Sequence, residues 1–228
     1  MTLGSWWIDQ RMAQWARLVA KGFTQKEGVD FTETFSPVLR YSTLRLLFAL
    51  SVQLNLNMNH LDVPAAFLNG YLKENVFMEI PECSSGNSSI NCKNKVYKLK
   101  RAIYDLKQSA RAWYTRVEEC LLNLDYKKSK YEPCLFVKCD NDVKIVVALF
   151  VDDFFVFYNC LSSYKQLKTE LVNKFKIKDL GQIKQCLGMR VNVQQHCITV
   201  DQAQFVNSIL DKFNMSNCHT SVLQWRTT

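Results

Sequence analysis

The amino-acid sequence predicts an α+β protein, and three observations carry that prediction. Segments 42–54, 109–124, 163–176 and 202–213 repeat apolar residues at helical spacing. Short stretches at 17–21, 58–62, 76–80, 96–99, 134–139, 144–151, 154–158, 186–193 and 197–200 read as strands. The run from Val143 to Tyr158 is apolar except for Lys144 and two adjacent aspartates, the pattern of a hairpin buried in a sheet. Helices alternating with mostly antiparallel strands define the class.

The first helix is expected to begin at Ser42, a plausible N-cap, with Leu44, Leu47, Phe48, Ser51 and Leu54 roughly on one face. The second carries Trp113, Val117, Cys120, Leu121 and Leu124 on one stripe. The third follows Ser162 and aligns Leu167, Leu171, Val172 and Phe175. The fourth follows Asp201 and aligns Phe205, Val206, Ile209, Leu210 and Phe213. Each stripe needs a partner surface, and a sheet is the obvious one. Residues 83–95, rich in Ser, Asn and Gly, read as a loop that separates an N-terminal block from the rest.

At 228 residues, with 48% hydrophobic and 22% charged, the chain is long enough for a substantial core and ordinary in composition. Its 9 cysteines include no CxxC, so free thiols of an intracellular protein are favoured over a zinc site, for which Cys134 with Cys139, or Cys218 beside His219, come nearest. No stretch approaches the roughly 20 apolar residues that span a bilayer, and the N-terminus lacks the pattern of a secretory signal. An intracellular, soluble protein without a membrane partner is expected.

The net charge of +8 is concentrated. Residues 93–116 hold Lys93, Lys95, Lys98, Lys100, Arg101, Lys107, Arg111 and Arg116 against Asp105 alone, a local excess of +7. Tyr97, Tyr104, Trp113 and Tyr114 lie among them. Basic side chains neutralise phosphates and interleaved aromatics stack on bases, so the segment suits nucleic acid; a solvated charged surface reads the composition equally well.

Asp152 and Asp153 carry the sharpest chemical signal. Aspartates are common in tight turns, and a solvent-exposed turn is one reading. Two carboxylates flanked by Leu149-Phe150-Val151 and Phe154-Phe155-Val156 also repel and lose solvation unless a cation joins them. Asp62 stands in a similar setting, after His60-Leu61 and before Val63-Pro64, where a strand is expected to pass into a helix. Three carboxylates at strand ends suit two Mg²⁺ ions, which polarise an attacking hydroxyl and stabilise the leaving phosphate oxygens.

Several segments in order then resemble one family. Residues 17–38 (RLVAKGFTQKEGVDFTETFSPV), 61–70 (LDVPAAFLNG), 76–82 (VFMEIPE), 96–114 (VYKLKRAIYDLKQSARAWY), 149–156 (LFVDDFFV) and 179–191 (DLGQIKQCLGMRV) are similar to the successive motifs of the copia-type retrotransposon reverse transcriptase. The resemblance implies a right-hand polymerase, with fingers at about 1–40 and 71–116, palm at about 41–70 and 117–200, and the start of a thumb at 201–228. The palm would be a split β-α-β antiparallel sheet with helices on one face. It assigns Asp62, Asp152 and Asp153 as catalytic metal ligands for two Mg²⁺ ions, with Mn²⁺ as a substitute. Phe67 matches the aromatic gate against a ribose 2′-hydroxyl, although its type and setting also suit a core residue. Arg17, Lys21 and Gln108 fall in segments that contact the incoming deoxynucleoside triphosphate, and Arg17 and Lys21 read equally as surface charges. Lys98, Lys100, Arg101, Lys107 and Arg111 would hold an RNA or DNA template-primer. RNase H and integrase regions would lie elsewhere in a polyprotein or be lost, and the cytoplasm or a virus-like particle is the implied location.

The sequence departs from the family at Phe150, where Tyr is usual, at Asp105, where Gly is usual, at Ala110, where Pro is usual, and at Trp15, where a basic residue is usual. Two readings follow: a working polymerase, or an inactive relic that at most binds nucleic acid.

Overall fold

A computed structural model of the chain describes residues 7–8, 16–80, 95–140, 142–194 and 197–218. In chain order, β1 (Trp7–Ile8) pairs antiparallel with β2 (Ala16–Arg17). Helix α1 (Tyr41–Gln53) leads into β3 (Asn57–Asp62), followed by a 3-10 turn at Ala66–Asn69. Strands β4 (Phe77–Glu79) and β5 (Val96–Lys98) pair before helix α2 (Ser109–Leu122). Then come β6 (Lys127–Lys128), β7 (Leu135–Asp140), β8 (Val143–Phe150) and β9 (Asp153–Tyr158). Helix α3 (Leu161–Lys174) precedes β10 (Lys178–Gln182), β11 (Gln185–Cys186), β12 (Met189–Gln194), β13 (Cys197–Asp201) and helix α4 (Ala203–Lys212).

The centre is a six-stranded antiparallel sheet ordered β10-β3-β9-β8-β7-β6. Successive strand residues face opposite sides. Phe154, Val156 and Tyr158 share one side with Leu61 and Asn59, their register partners on β3 being Leu61, Asn59 and Asn57. Asp153, Phe155 and Phe157 share the other with Asp62, His60 and Met58. All of β9 from Phe154 to Tyr158 is buried, so both faces are covered. A fully buried phenylalanine contributes roughly 1.5–3 kcal/mol of transfer free energy.

Helices α2 and α3 cover the first side. Tyr164 stacks on Tyr158 at 4.4 Å, and Trp113 meets Phe175, just past α3, edge-on at 5.1 Å. Helix α1 lies on the other side, where Phe48 approaches Phe157 at 6.1 Å. The expectation of helices on one face thus holds for α2 and α3 and fails for α1. The β11–β12–β13 sheet is on α1's side, since Tyr41 donates from its hydroxyl to the Leu187 carbonyl at 3.1 Å.

Local chemistry accounts for the element ends. Helix α1 begins one residue before Ser42, with Arg40 as its N-cap. The buried carboxylate of Glu132 takes the capping role from a distance, accepting from Arg40 N–H at 3.3 Å and Thr43 Oγ1 at 3.0 Å. Helix α3 has Cys160, not Ser162, at its N-cap. The N-cap of α4 is Gln202, and Asp201 just before it accepts from Ala203 N–H through Oδ1 at 3.0 Å. The strand expected at 186–193 is broken by Leu187 and Gly188, at φ 49° and 76°, into a two-residue hairpin. Helix α4 lies against β12 but has no buried residue, with Phe205 52% exposed and Phe213, just past its end, 64% exposed, so its apolar stripe stays largely open.

Candidate active site

Asp62 is the last residue of β3 and Asp153 the first of β9, and the strand register makes them direct partners. Val63 N–H donates to the Asp152 carbonyl at 3.0 Å. Hydrogen-bonded and non-hydrogen-bonded pairs alternate in an antiparallel ladder, so Asp62 and Asp153 form a non-hydrogen-bonded pair, with Cα atoms about 4.5 Å apart and side chains at closest approach. Like charges so placed repel.

Asp152 and Val151 form the connection between β8 and β9. Val151 has φ 51°, a conformation that a β-branched residue rarely adopts. The Trp113 indole N–H donates to the Val151 carbonyl at 2.7 Å, tying the connection to α2. Oδ1 of Asp152 is buried. Of the three aspartates, the structure brings Asp62 and Asp153 face to face and leaves Asp152 beside them in the turn. Among the described residues no three His, Cys, Asp or Glu side chains converge tightly enough to hold one metal ion. The Asp62–Asp153 pair nonetheless suits a hard cation: Mg²⁺ commonly takes one or two carboxylates and fills its shell with water and phosphate oxygens.

Three neighbours of the pair were not singled out from the sequence. His60, two residues before Asp62 and therefore on the same face, has Nε2 2.7 Å from Asp153 Oδ1. Its ring lies against Phe155 at 4.9 Å. Lys178 on β10 is the register partner of Asp62. Cys186 on β11 is buried, and burial together with the Asp153 carboxylate pushes its thiol up to about 12. Period-two spacing in His60-Leu61-Asp62 would have found the first; the other two depend on a strand pairing invisible in sequence.

Phe67 sits in the 3-10 turn after β3, half-buried against the main core, its ring 5.0 Å from that of Tyr104. With Ala110, Trp113 and Val151 it lines a cleft of about 240 Å³ beside the aspartate turn. Pro64 does not open a helix: Ala65, at φ 57°, intervenes before the turn begins.

The remaining expected residues fall into two groups. Gln108 is 3% exposed; its Nε2 donates to the Asp30 carbonyl at 2.9 Å, and its Oε1 accepts from Gln25 at 2.9 Å. That network fixes residues 25–30 to the start of α2, and the side chain is held there. Lys107 lies over the Phe31 ring at 4.8 Å, and Arg111 pairs with Glu33 at 2.9 Å, so both clasp the same N-terminal segment. Lys98, Lys100 and Arg101 are exposed, Arg101 with its guanidinium 5.4 Å from the Tyr71 ring centre. Lys21 is half-buried before a 3-10 turn, and Arg17 is placed by its backbone in β2. Asp105 is exposed at φ 67°, and its carbonyl lies so close to Gly22 that a Cβ there would stand 1.7 Å away.

The chain matches the family described as Reverse transcriptase (RNA-dependent DNA polymerase) over residues 8–225. It is 36% identical over 206 residues to the Retrovirus-related Pol polyprotein from transposon TNT 1-94 of Nicotiana tabacum, covering 89% of this chain and 15% of that one. It is 32% identical over 200 residues to the corresponding polyprotein from transposon RE1 of Arabidopsis thaliana, covering 88% and 13%. With the Transposon Ty1-NL2 Gag-Pol polyprotein of Saccharomyces cerevisiae it shares 26% identity over 170 residues, covering 73% and 9%. The chain therefore spans a small fraction of the curated relatives it matches. No solved structure matches it. No helix among the described residues is long and apolar enough to cross a membrane. With that match running almost end to end, the chain belongs to the reverse transcriptase family, as a copia-type domain of a retrotransposon Pol polyprotein.

Proposed function

We propose that this domain is a template-directed DNA polymerase that extends a primer on RNA or DNA, with Asp62, Asp152 and Asp153 as its catalytic carboxylates. The observation that carries the reading is the pairing of Asp62 with Asp153 at the ends of two inner strands of a buried sheet, in a chain of this family. Two bound Mg²⁺ ions, or Mn²⁺ in their place, would activate the primer 3′-hydroxyl and neutralise charge on the leaving diphosphate. Asp62 and Asp153 orient toward that site from two strands, and the α2 anchor on the Val151 carbonyl holds Asp152 beside them.

In this reading the fingers are at about 1–40 and 71–116, the palm at about 41–70 and 117–200 holds the six-stranded sheet with α1 and α3, and α4 opens the thumb. Phe67 closes the sugar side of the cleft against a 2′-hydroxyl. Lys98, Lys100 and Arg101, exposed on one segment, attract the phosphates of the template-primer. Arg17 in β2 and Lys21 before the 3-10 turn would face the incoming triphosphate, whereas Gln108, Lys107 and Arg111 hold residues 25–33 in place. RNase H and integrase activities would come from other parts of a longer polyprotein in the cytoplasm or a virus-like particle.

Asp105 favours a second reading, an inactive relic that retains nucleic-acid binding, because it puts a carboxylate at φ 67° where the family carries glycine. Primer extension with an RNA template and Mg²⁺ or Mn²⁺ decides between them. Extension that vanishes in Asp62→Asn and Asp153→Asn supports the polymerase; template binding with no extension in the unaltered chain supports the relic.

A further inference from the structure

We infer that His60 is a positioning residue for Asp153: it fixes one carboxylate oxygen so that the other is presented, with Asp62, to the cation. The inference rests on the polymerase reading above and adds a residue to it. An ionised carboxylate only accepts hydrogen bonds, so at 2.7 Å His60 Nε2 is the donor and Asp153 Oδ1 the acceptor. Oδ2 is the oxygen left for a metal.

The imidazole is well placed for that task. His60 and Asp62 are two apart on β3 and share a face, and Asp153 is opposite Asp62. The His60 bond to Asp153 is thus a diagonal contact across the strand pair, within reach of a long side chain. The ring is held against Phe155, its register partner on β9, at 4.9 Å, and the side chain is 14% exposed. On the other flank its register partner on β10 is Gly181, which brings no side chain of its own. A carboxylate at the end of a strand, beside a two-residue turn, has several rotamers open to it. A rigid donor two residues from the opposing aspartate selects one of them. Outer partners of this kind set the orientation of metal-ligating carboxylates.

The test uses the whole chain and Mn²⁺ alone, read by the loss of the free-ion electron paramagnetic resonance signal, with thermal melting in chelator as a control on folding. Asp62→Asn first identifies the site, since binding there must depend on Asp62. His60→Leu should then weaken Mn²⁺ binding by roughly 10- to 100-fold, and His60→Gln, whose amide N–H₂ can replace the Nε2 donor, should recover most of it, to within about threefold of the unaltered protein. A purely structural histidine would lower the melting temperature of both variants and leave the Gln variant no better than the Leu variant in Mn²⁺ affinity; that result overturns the inference. Affinity equal to or tighter than wild type in His60→Leu also overturns it, because His60 would then be idle or an obstacle. Absence of any Asp62-dependent Mn²⁺ binding in the unaltered chain removes the metal site itself, and the polymerase reading with it. Wild-type binding that survives His60→Leu removes only the role of His60.

Discussion

Replacing Asp62 by asparagine should stabilise the cation-free protein while abolishing its response to Mg²⁺. Asp62 and Asp153 are register partners in a non-hydrogen-bonded pair, which sets their Cβ atoms about 5 Å apart, a fair scale for the separation of their charges. Two unit charges at that distance and an effective dielectric of about 20 repel by roughly 3 kcal/mol. The side chain of Asp153 is 32% exposed and already accepts a bond from His60, so solvent, salt and that donor reduce the penalty to about 1 kcal/mol. In a chain of this length 1 kcal/mol shifts the melting temperature by about 2–4 °C. Calorimetry or circular dichroism in chelator should therefore show Asp62→Asn melting a few degrees above wild type. Adding Mg²⁺ at about ten times its dissociation constant should then raise wild type by roughly 1.4 kcal/mol and leave the variant unmoved. If Asp62→Asn instead melts lower in chelator, Lys178, its partner on β10, already neutralises Asp62, and the argument from repulsion is wrong.

Three further outcomes follow from contacts around the site. Trp113→Phe removes the donor to the Val151 carbonyl, and loss of a hydrogen bond to a part-buried carbonyl should cost about 1–3 kcal/mol, measured by urea unfolding; an unchanged midpoint would mean water replaces the indole N–H. Asp105→Gly relieves a left-handed conformation that costs a typical L-residue about 1–2 kcal/mol, an aspartate less, and restores some of the chain entropy that glycine loses, so stability should rise by at most about 1 kcal/mol, with faster single-nucleotide addition if the chain is active. Asp179 is partly buried, which opposes its ionisation, but the Lys168 ammonium and the Gly181 N–H outweigh burial and hold its carboxyl below the ordinary range. A depressed carboxyl stabilises above its unfolded value of about 3.9 and loses that contribution as pH falls through its folded value, so Asp179→Asn should melt lower at pH 7 and converge with wild type below about pH 4.

What was legible in the sequence was what periodicity encodes. The α2 stripe of Trp113, Val117, Cys120 and Leu121 is buried as read, and the Val143–Tyr158 hairpin forms the middle of the sheet. Strand β10 was not legible: Lys178-Asp179-Leu180-Gly181-Gln182 is polar and interrupted by a bulge, and it is a strand because β3 offers a free edge, a tertiary cause. The place of α1 on the second face was likewise hidden, since an apolar stripe does not say which side of a sheet it covers. Gln108 shows the limit of reading roles from motifs. Its segment matched the family, but the motif gave no sign that its amide bonds to Gln25 and the Asp30 carbonyl and so ties residues 25–30 to the start of α2.

Backbone strain gives a reason, separate from any likeness, to put the candidate site at the strand ends that carry Asp62 and Asp153. Seven non-glycine residues among those described have positive φ: Asn55, Ala65, Asp105, Asp125, Val151, Leu187 and Asn214. Four are Asn or Asp, which tolerate the left-handed region. Of the three that do not, Leu187 serves a hairpin turn, whereas Ala65 and Val151 flank the aspartate pair, one three residues after Asp62 and the other two before Asp153. Each costs roughly 1–2 kcal/mol, and a β-branched valine sits at the unfavourable end of that range. Such conformations persist only where surrounding contacts over-determine them. Those contacts are present: Trp113 bonds the Val151 carbonyl, Val63 bonds the Asp152 carbonyl, and Leu68 N–H bonds the Ala65 carbonyl at 3.0 Å. An ordinary surface hairpin would relax to glycine or asparagine at position 151. This one keeps valine in a strained turn followed by Asp152 and Asp153, with a buried tryptophan anchoring it and Asp62 opposite, an arrangement that stability alone would select against.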